Sequence, residues 1–143
     1  MRGTYCLIIR IGKTLSLNVG ALGRVKIERG YYVYVGSAFN SLKARIKRHL
    51  SGDKRIHWHV DYLLAHEDAM IEDVIFTADK RQLECLISNG LENQGSIWGF
   101  GCSDCKCRSH LHYYKDLGVA KNAILNVMGE LGVKVMFLED LKL

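Results

Sequence analysis

Residues 5–11 set the first constraint on the fold. Their side chains alternate, with Tyr5, Leu7, Ile9 and Ile11 on one face and Cys6, Ile8 and Arg10 on the other. A period of two is the mark of a β-strand. Residues 31–36 repeat it in aromatic and β-branched residues, with Tyr32 and Tyr34 on one face and Tyr31, Val33 and Val35 on the other. Residues 15–19 and 24–28 read as two short strands around the turn 20–23. The chain has no proline, so glycine does most of the turn-making.

After residue 36 the period changes. Asn40 or Ser41 can cap a helix running to about Leu50, with Leu42, Ile46 and Leu50 as its apolar stripe and Gly52 as its stop. A second helix is expected over 57–65 and a strand over 70–77. Asp79 can cap a third helix to about Asn89, with Leu83, Leu86, Ile87 and Leu91 facing inward. A glycine- and cysteine-rich loop covers 95–109. A helix over 121–131 and a last strand within 133–138 complete the chain. This order implies an α+β class, a small antiparallel sheet flanked by helices.

At 143 residues, with neither an internal repeat nor a linker, the chain reads as a single domain over 1–143. A hydrophobic share of 48% argues against disorder. The net charge of +5 suits a polyanionic partner. No apolar run approaches the ~18 residues of a membrane span. Arg2 and Arg10 flank a short apolar stretch without a following small-residue cleavage site, so no signal peptide is expected. Five cysteines, three of them crowded at 102, 105 and 107, fit a reducing cytoplasm better than a disulfide scaffold.

Several residues could carry chemistry. Residues 43–55 hold six basic side chains against one acid, Asp53. Lys43, Lys47, Arg48, Lys54 and Arg55 are candidate contacts to nucleic-acid phosphates, salt-sensitive and blind to sequence. Arg45 and His49 stack one turn apart beside the Leu42 and Ile46 stripe, which holds them against the sheet near Tyr34. Glu84 lies at the margin of an apolar helix face, where a carboxylate can hold a divalent cation through oxygen ligands and waters. His57, His59 and Asp61 admit a metal reading and a structural one, in which His57 caps the helix and Asp61 bonds a basic neighbour such as Arg55 or Arg45. The structural reading is preferred, with support of the site as the second choice. Cys102, Cys105, Cys107, His110 and His112 include enough soft ligands for zinc, the candidate set being Cys102, Cys105, Cys107 and His110. They fall within eleven residues, without two separated pairs. Free thiols in a tight loop turned by Ser103 and Asp104 are therefore expected, and zinc is not.

The pattern Gly3-Thr4-Tyr5, then Tyr34-Val35-Gly36, then Arg45 and His49 on a helix, resembles the GIY-YIG nuclease superfamily. More closely, the chain is similar to a prokaryotic branch known as domain of unknown function 123. The segments 30–38, 57–64 and 99–105 carry that likeness, which spans about 3–114 and leaves 115–143 as a C-terminal extension. The resemblance implies a GIY-YIG-like fold and a metal-dependent endonuclease that hydrolyses phosphodiester bonds of DNA, in repair or recombination. One of Tyr5 and Tyr34 would help deprotonate the attacking water, and the other would orient the phosphate. Arg45 would neutralise charge in the transition state, His49 would assist proton transfer, and Glu84 would hold one Mg²⁺ or Mn²⁺. Thr4 replaces the usual isoleucine, and an extra hairpin separates the two tyrosines. Two alternatives stand beside the nuclease: a non-catalytic nucleic-acid-binding module of the same fold, and a zinc-stabilised interaction domain.

Overall fold

The computed structural model describes residues 1–52, 55–103 and 105–143; Asp53, Lys54 and Asp104 lie outside the described residues. Its centre is an antiparallel sheet of five strands in the order β6-β4-β1-β5-β7. These are β1 (Gly3–Ile11), β4 (Gly30–Ala38), β5 (Ala69–Thr77), β6 (Leu111–Tyr114) and β7 (Met136–Phe137). A separate hairpin joins β2 (Leu15–Asn18) to β3 (Arg24–Ile27). The helices are α1 (Leu42–Leu50), α2 (His59–Leu64), α3 (Glu84–Gly90) and α4 (Leu117–Glu130). The expected α+β architecture is present. No helix among the described residues is long and apolar enough to cross a membrane.

The two parities of β1 and β4 feed two cores. Tyr5, Leu7, Ile9, Tyr32 and Tyr34 pack under α1, α2 and the hairpin. Cys6, Ile8, Val33 and Val35 pack under α3 and α4 through Leu83, Ile87, Leu91, Ala120 and Ile124. The sheet is therefore the middle of three layers, with β1 and β4 packed on both faces. β6 pairs with β4 only over Tyr31 to Tyr34, and the Val35 N–H donates to the His110 carbonyl just beyond. The last residues of β4 thus have β1 on one side and no strand on the other. Helices from both faces can reach that corner.

Several elements differ from expectation. The buried row of α1 is Leu42, Ile46 and His49, not Leu50, which is exposed. The i, i+4, i+7 row points at the sheet, and the last turn carries Leu50 off its edge. Asp79 does not cap α3. It accepts from the Arg81 N–H and pairs with the Arg81 guanidinium, and α3 begins at Glu84. Leu83, Ile87 and Leu91 form its inward row, which turns Leu86 into solvent. The second helix is shorter than expected, and the last strand is two residues. α4 starts at Leu117 because the Asp116 carboxylate accepts from the N–H groups of Gly118 and Val119. β6 went unread because a four-residue strand carrying a buried histidine leaves little periodicity.

α1 and α2 are joined by one buried ion pair. Arg48 Nη1 and Nη2 donate to the two oxygens of fully buried Asp61, each at 3.0 Å. The same carboxylate accepts from the N–H groups of His57 and Trp58 at 2.9 Å. Burial pushes the Asp61 carboxyl up, but Arg48 and these N–H donors outweigh it and hold it below the ordinary carboxylate range. The partner is Arg48, not Arg55 or Arg45.

Three substitutions test this packing. Tyr5 lies across from Gly36 in the β1–β4 register, and a Cβ on Gly36 would stand 2.5 Å from the Tyr5 hydroxyl oxygen. Gly36→Ala should lose about 1–3 kcal/mol in urea unfolding. Gly129→Ala, on α4 with open space at its Cβ, should instead gain up to about 1 kcal/mol. Asp61→Asn should lose about 3 kcal/mol, since it leaves Arg48 without its counter-charge. A carboxyl whose folded pKa is depressed contributes stability above its unfolded pKa of about 3.9, and this is lost as pH falls through the lower folded value. The gap between wild type and Asp61→Asn, followed by thermal melts, should therefore close on acidification below about pH 4.

Candidate active-site cleft and adjoining cysteine cluster

The corner where β4 outruns β6 is a cleft of about 510 Å³. Tyr5, Tyr34 and Gly36 form its floor, Arg45 and Trp58 one wall, and Glu84 with Cys85 the other. Gly101, Cys105 and His110 close it from the loop before β6.

Tyr5 and Tyr34 follow each other on one sheet face because Leu7 pairs with Tyr34 and Tyr5 with Gly36. The Tyr5 hydroxyl lies 2.7 Å from Nε2 of His49. His49 is buried, and Tyr34 meets its ring edge-on at 6.3 Å. Burial drives the Tyr5 phenol above its ordinary value, against the pull of the Arg45 guanidinium. Tyr34 is raised by burial, then by Tyr5 and Glu84, again opposed by Arg45. Both hydroxyls keep their protons at neutral pH, and the Tyr5 hydroxyl can donate to His49.

Arg45 is aimed by two contacts. Its Nη1 donates to the Ser37 carbonyl at 2.8 Å, and its guanidinium carbon lies 4.3 Å from the Trp58 ring centre. Arg48 meets the same indole at 4.3 Å. Trp58 and Asp61, from the 57–64 segment, therefore fix the basic helix against the site. Of the expected phosphate contacts, Arg48 is committed to Asp61 and to the Arg55 carbonyl. Lys43, Lys47 and Arg55 are exposed, and Lys54 is outside the described residues.

Glu84 reaches the cleft from the opposite face of the sheet. Its Oε2 accepts from the Ser37 hydroxyl at 2.9 Å, and its Oε1 lies 3.1 Å from Nδ1 of His110. The Ser37 carbonyl holds Arg45 and the Ser37 hydroxyl holds Glu84, so one residue of β4 spaces the cation from the carboxylate. Beyond Glu84, Asn89 faces Cys107, and Asn93 closes a turn by accepting from the Gly95 N–H.

His57, His59 and Asp61 do not gather. His57 is exposed and stands edge-on to Trp58 at 4.6 Å. Nδ1 of His59 accepts from the Gly101 N–H at 2.9 Å, and burial lowers the pKa of its ring. This hydrogen bond ties α2 to the loop before β6.

The loop thiols do gather, with one partner that their spacing hides. Cys85 of α3, Cys105, Cys107 and His110 place one ligand atom each, all within 4.8 Å of one another. This Cys₃His group could hold a metal ion, and its soft donors favour zinc over Mg²⁺ or Mn²⁺. The expectation of plain free thiols rested on contiguous spacing and missed Cys85, 20 residues before Cys105, where only the fold brings it near. Cys102 lies beside Cys105 but outside this group, and its thiol donates to the Phe100 carbonyl at 3.4 Å. Burial and the neighbouring Cys105 push its thiol up to about 12. Burial and then neighbouring thiols raise Cys85 as well. At Cys107 burial is outweighed by hydrogen bonds from Cys85, His110 and Cys105, which bring that thiol below its ordinary value. Burial would lower His110, but Glu84 and Cys107 lift it to about 9. His112 is a different case. Burial and then His110 push it down to about 4, so it is neutral, its two nitrogens facing the Ser88 and Ser96 hydroxyls.

Neither a curated protein nor a solved structure matches this chain. One family does, described as Domain of unknown function DUF123, over residues 4–133. The match runs through α4, so the helix expected as an extension lies inside the shared region. Its extent covers the whole central sheet but for β7, both walls of the cleft and the cysteine cluster. The chain belongs to the family Domain of unknown function DUF123.

Proposed function

We propose that this chain is a GIY-YIG-type endonuclease that hydrolyses DNA phosphodiester bonds in the 510 Å³ cleft. The observation that carries this reading is convergence. Tyr5, Tyr34, Arg45 and Glu84 come from four elements and from both faces of the sheet, yet all line one cleft. A carboxylate, a guanidinium and two phenols around one space form a donor set for a phosphoryl group.

In this reading Arg45 binds the scissile phosphate. Its guanidinium has five N–H donors, and Trp58 and Ser37 hold it in place before substrate arrives, so little reorganisation remains for the transition state. Tyr34 donates its hydroxyl to a phosphate oxygen. Tyr5 contacts the attacking water, and its contact with His49 offers a route by which a proton can leave it. Lys43, Lys47 and Arg55, exposed beyond the Arg45 wall, meet the flanking backbone. Glu84 would hold the divalent cation. Its side chain is 32% exposed, and each oxygen meets one protein partner, leaving lone pairs for a single hard cation that keeps most of its waters. Such an ion, when bound, stabilises negative charge on the phosphoryl group and leaving oxygen.

The test is cleavage of labelled linear, flapped and branched DNA, with RNA counterparts, in Mg²⁺ or Mn²⁺. Arg45→Ala and Glu84→Gln should each slow cutting by about 10²–10³-fold. Glu92→Ala, exposed and away from the cleft, should cut like wild type. Equal cutting by all four proteins would place the activity elsewhere. Salt-sensitive binding without any cutting would favour the non-catalytic module.

A further inference from the structure

We infer that Cys85, Cys105, Cys107 and His110 bind one zinc ion in a closed tetrahedral site, which clamps the 99–110 loop onto the start of α3. The geometry comes first. Tetrahedral zinc, with bonds of about 2.3 Å to sulfur and 2.0 Å to nitrogen, sets its ligand atoms roughly 3.5–3.8 Å apart. Nε2 of His110 lies 3.5 Å from the Cys105 sulfur and 3.9 Å from the Cys85 sulfur, and all four ligand atoms fall within 4.8 Å. The nitrogen–sulfur distances already match, and closing the tetrahedron asks the widest pair to approach by at most about 1 Å.

The partners that orient the imidazole are also in place. Zinc-bound histidines usually pass their other ring N–H to a carboxylate or a backbone carbonyl. Nδ1 of His110 lies 3.1 Å from Glu84 Oε1 and 3.2 Å from the Val35 carbonyl, while Nε2 faces the sulfurs. The imidazole is already turned with one nitrogen to the ligands and the other to its orienting partners. Four protein ligands leave no open position, which marks a structural rather than a catalytic zinc.

The loop needs such a clamp. Among the described residues of 101–107, none is buried. Buried Phe100 and Ser109 anchor the loop at its two ends, but 101–107 adds no apolar core, yet it helps close the cleft and holds His59 through the Gly101 N–H. A metal joining three of its side chains to α3 supplies what packing does not.

The inference does not depend on the nuclease reading, and its test reads metal rather than cleavage. Zinc per chain is measured on purified protein, and cobalt(II) is then titrated into the zinc-free form. The result expected is one zinc per chain. The cobalt complex should show intense tetrahedral absorption in the red and sulfur-to-cobalt charge transfer in the near ultraviolet. Chelator should lower the Tm by about 10 °C if free zinc stands near a hundredfold above its Kd. Cys102→Ser should keep one zinc per chain, while Cys85→Ser should bind at least 100-fold more weakly. Glu84→Gln should weaken zinc by about 10–100-fold through His110. A wild-type cobalt complex without thiolate charge transfer would overturn the inference, as would loss of metal in Cys102→Ser with retention in Cys85→Ser. The wild-type spectrum needs no variant, so a misfolded Cys85→Ser leaves the test standing.

Discussion

Pairing β1 with β4 sets Tyr5 across from Gly36, and the phenol occupies the space a side chain at Gly36 would fill. From there its hydroxyl reaches His49 on α1. The inward row of α1 therefore ends on a polar group, and a buried phenol and imidazole satisfy each other where two apolar residues would otherwise pack. The same register brings Tyr34 to the cleft and sends Val33 and Val35 into the opposite core. Shifting that pairing by one residue would leave the two tyrosines on opposite faces of the sheet. The site and the main core thus rest on one set of strand contacts.

A second constraint fixes the charges. Asp61 brings a full negative charge into the protein and is matched by a two-pronged Arg48 and two backbone donors. Such an arrangement contributes less net stability than its contacts suggest, because both charges are desolvated. Its effect is positional. With Arg48 held, Trp58 is held, and Arg45 lies against the same ring. A flexible arginine loses side-chain entropy when it grips a ligand. Here folding has already removed part of that freedom.

What the sequence disclosed and what it hid divide along contact distance. Alternation assigned the faces of β1 and β4 correctly, because a strand's period is local. Ser41 and the 42–50 helix were legible for the same reason. The position of His49 was read as beside the stripe, whereas it completes the buried row, a place hydropathy assigns to Leu50. β6 was missed because Ser88 and Ser96 satisfy His112, making a nominally polar residue behave as a core one. Arg48 looked like a surface charge because its partner lies a helix away. Cys85 carried no sequence signal at all. Among cysteines spaced two and three apart, Cys102 is the natural fourth ligand, and only the approach of α3 to the loop exchanges it for Cys85.

The least expected relation is between the cluster and the cleft. His110 is the rigid link: one ring nitrogen faces two sulfurs and the other faces Glu84. Glu84 in turn lies across Ser37 from Arg45. The carboxylate therefore belongs to two settings, as orienting partner of a soft-ligand group and as the hard-ligand wall of the cleft. An imidazole cannot tilt at one nitrogen without moving the other, so any change in how the thiols hold His110 is felt at Glu84. A residue that looks like a simple helix-margin glutamate in sequence is set by two chemistries at once. Losing activity on its substitution would not by itself distinguish them, whereas metal content would.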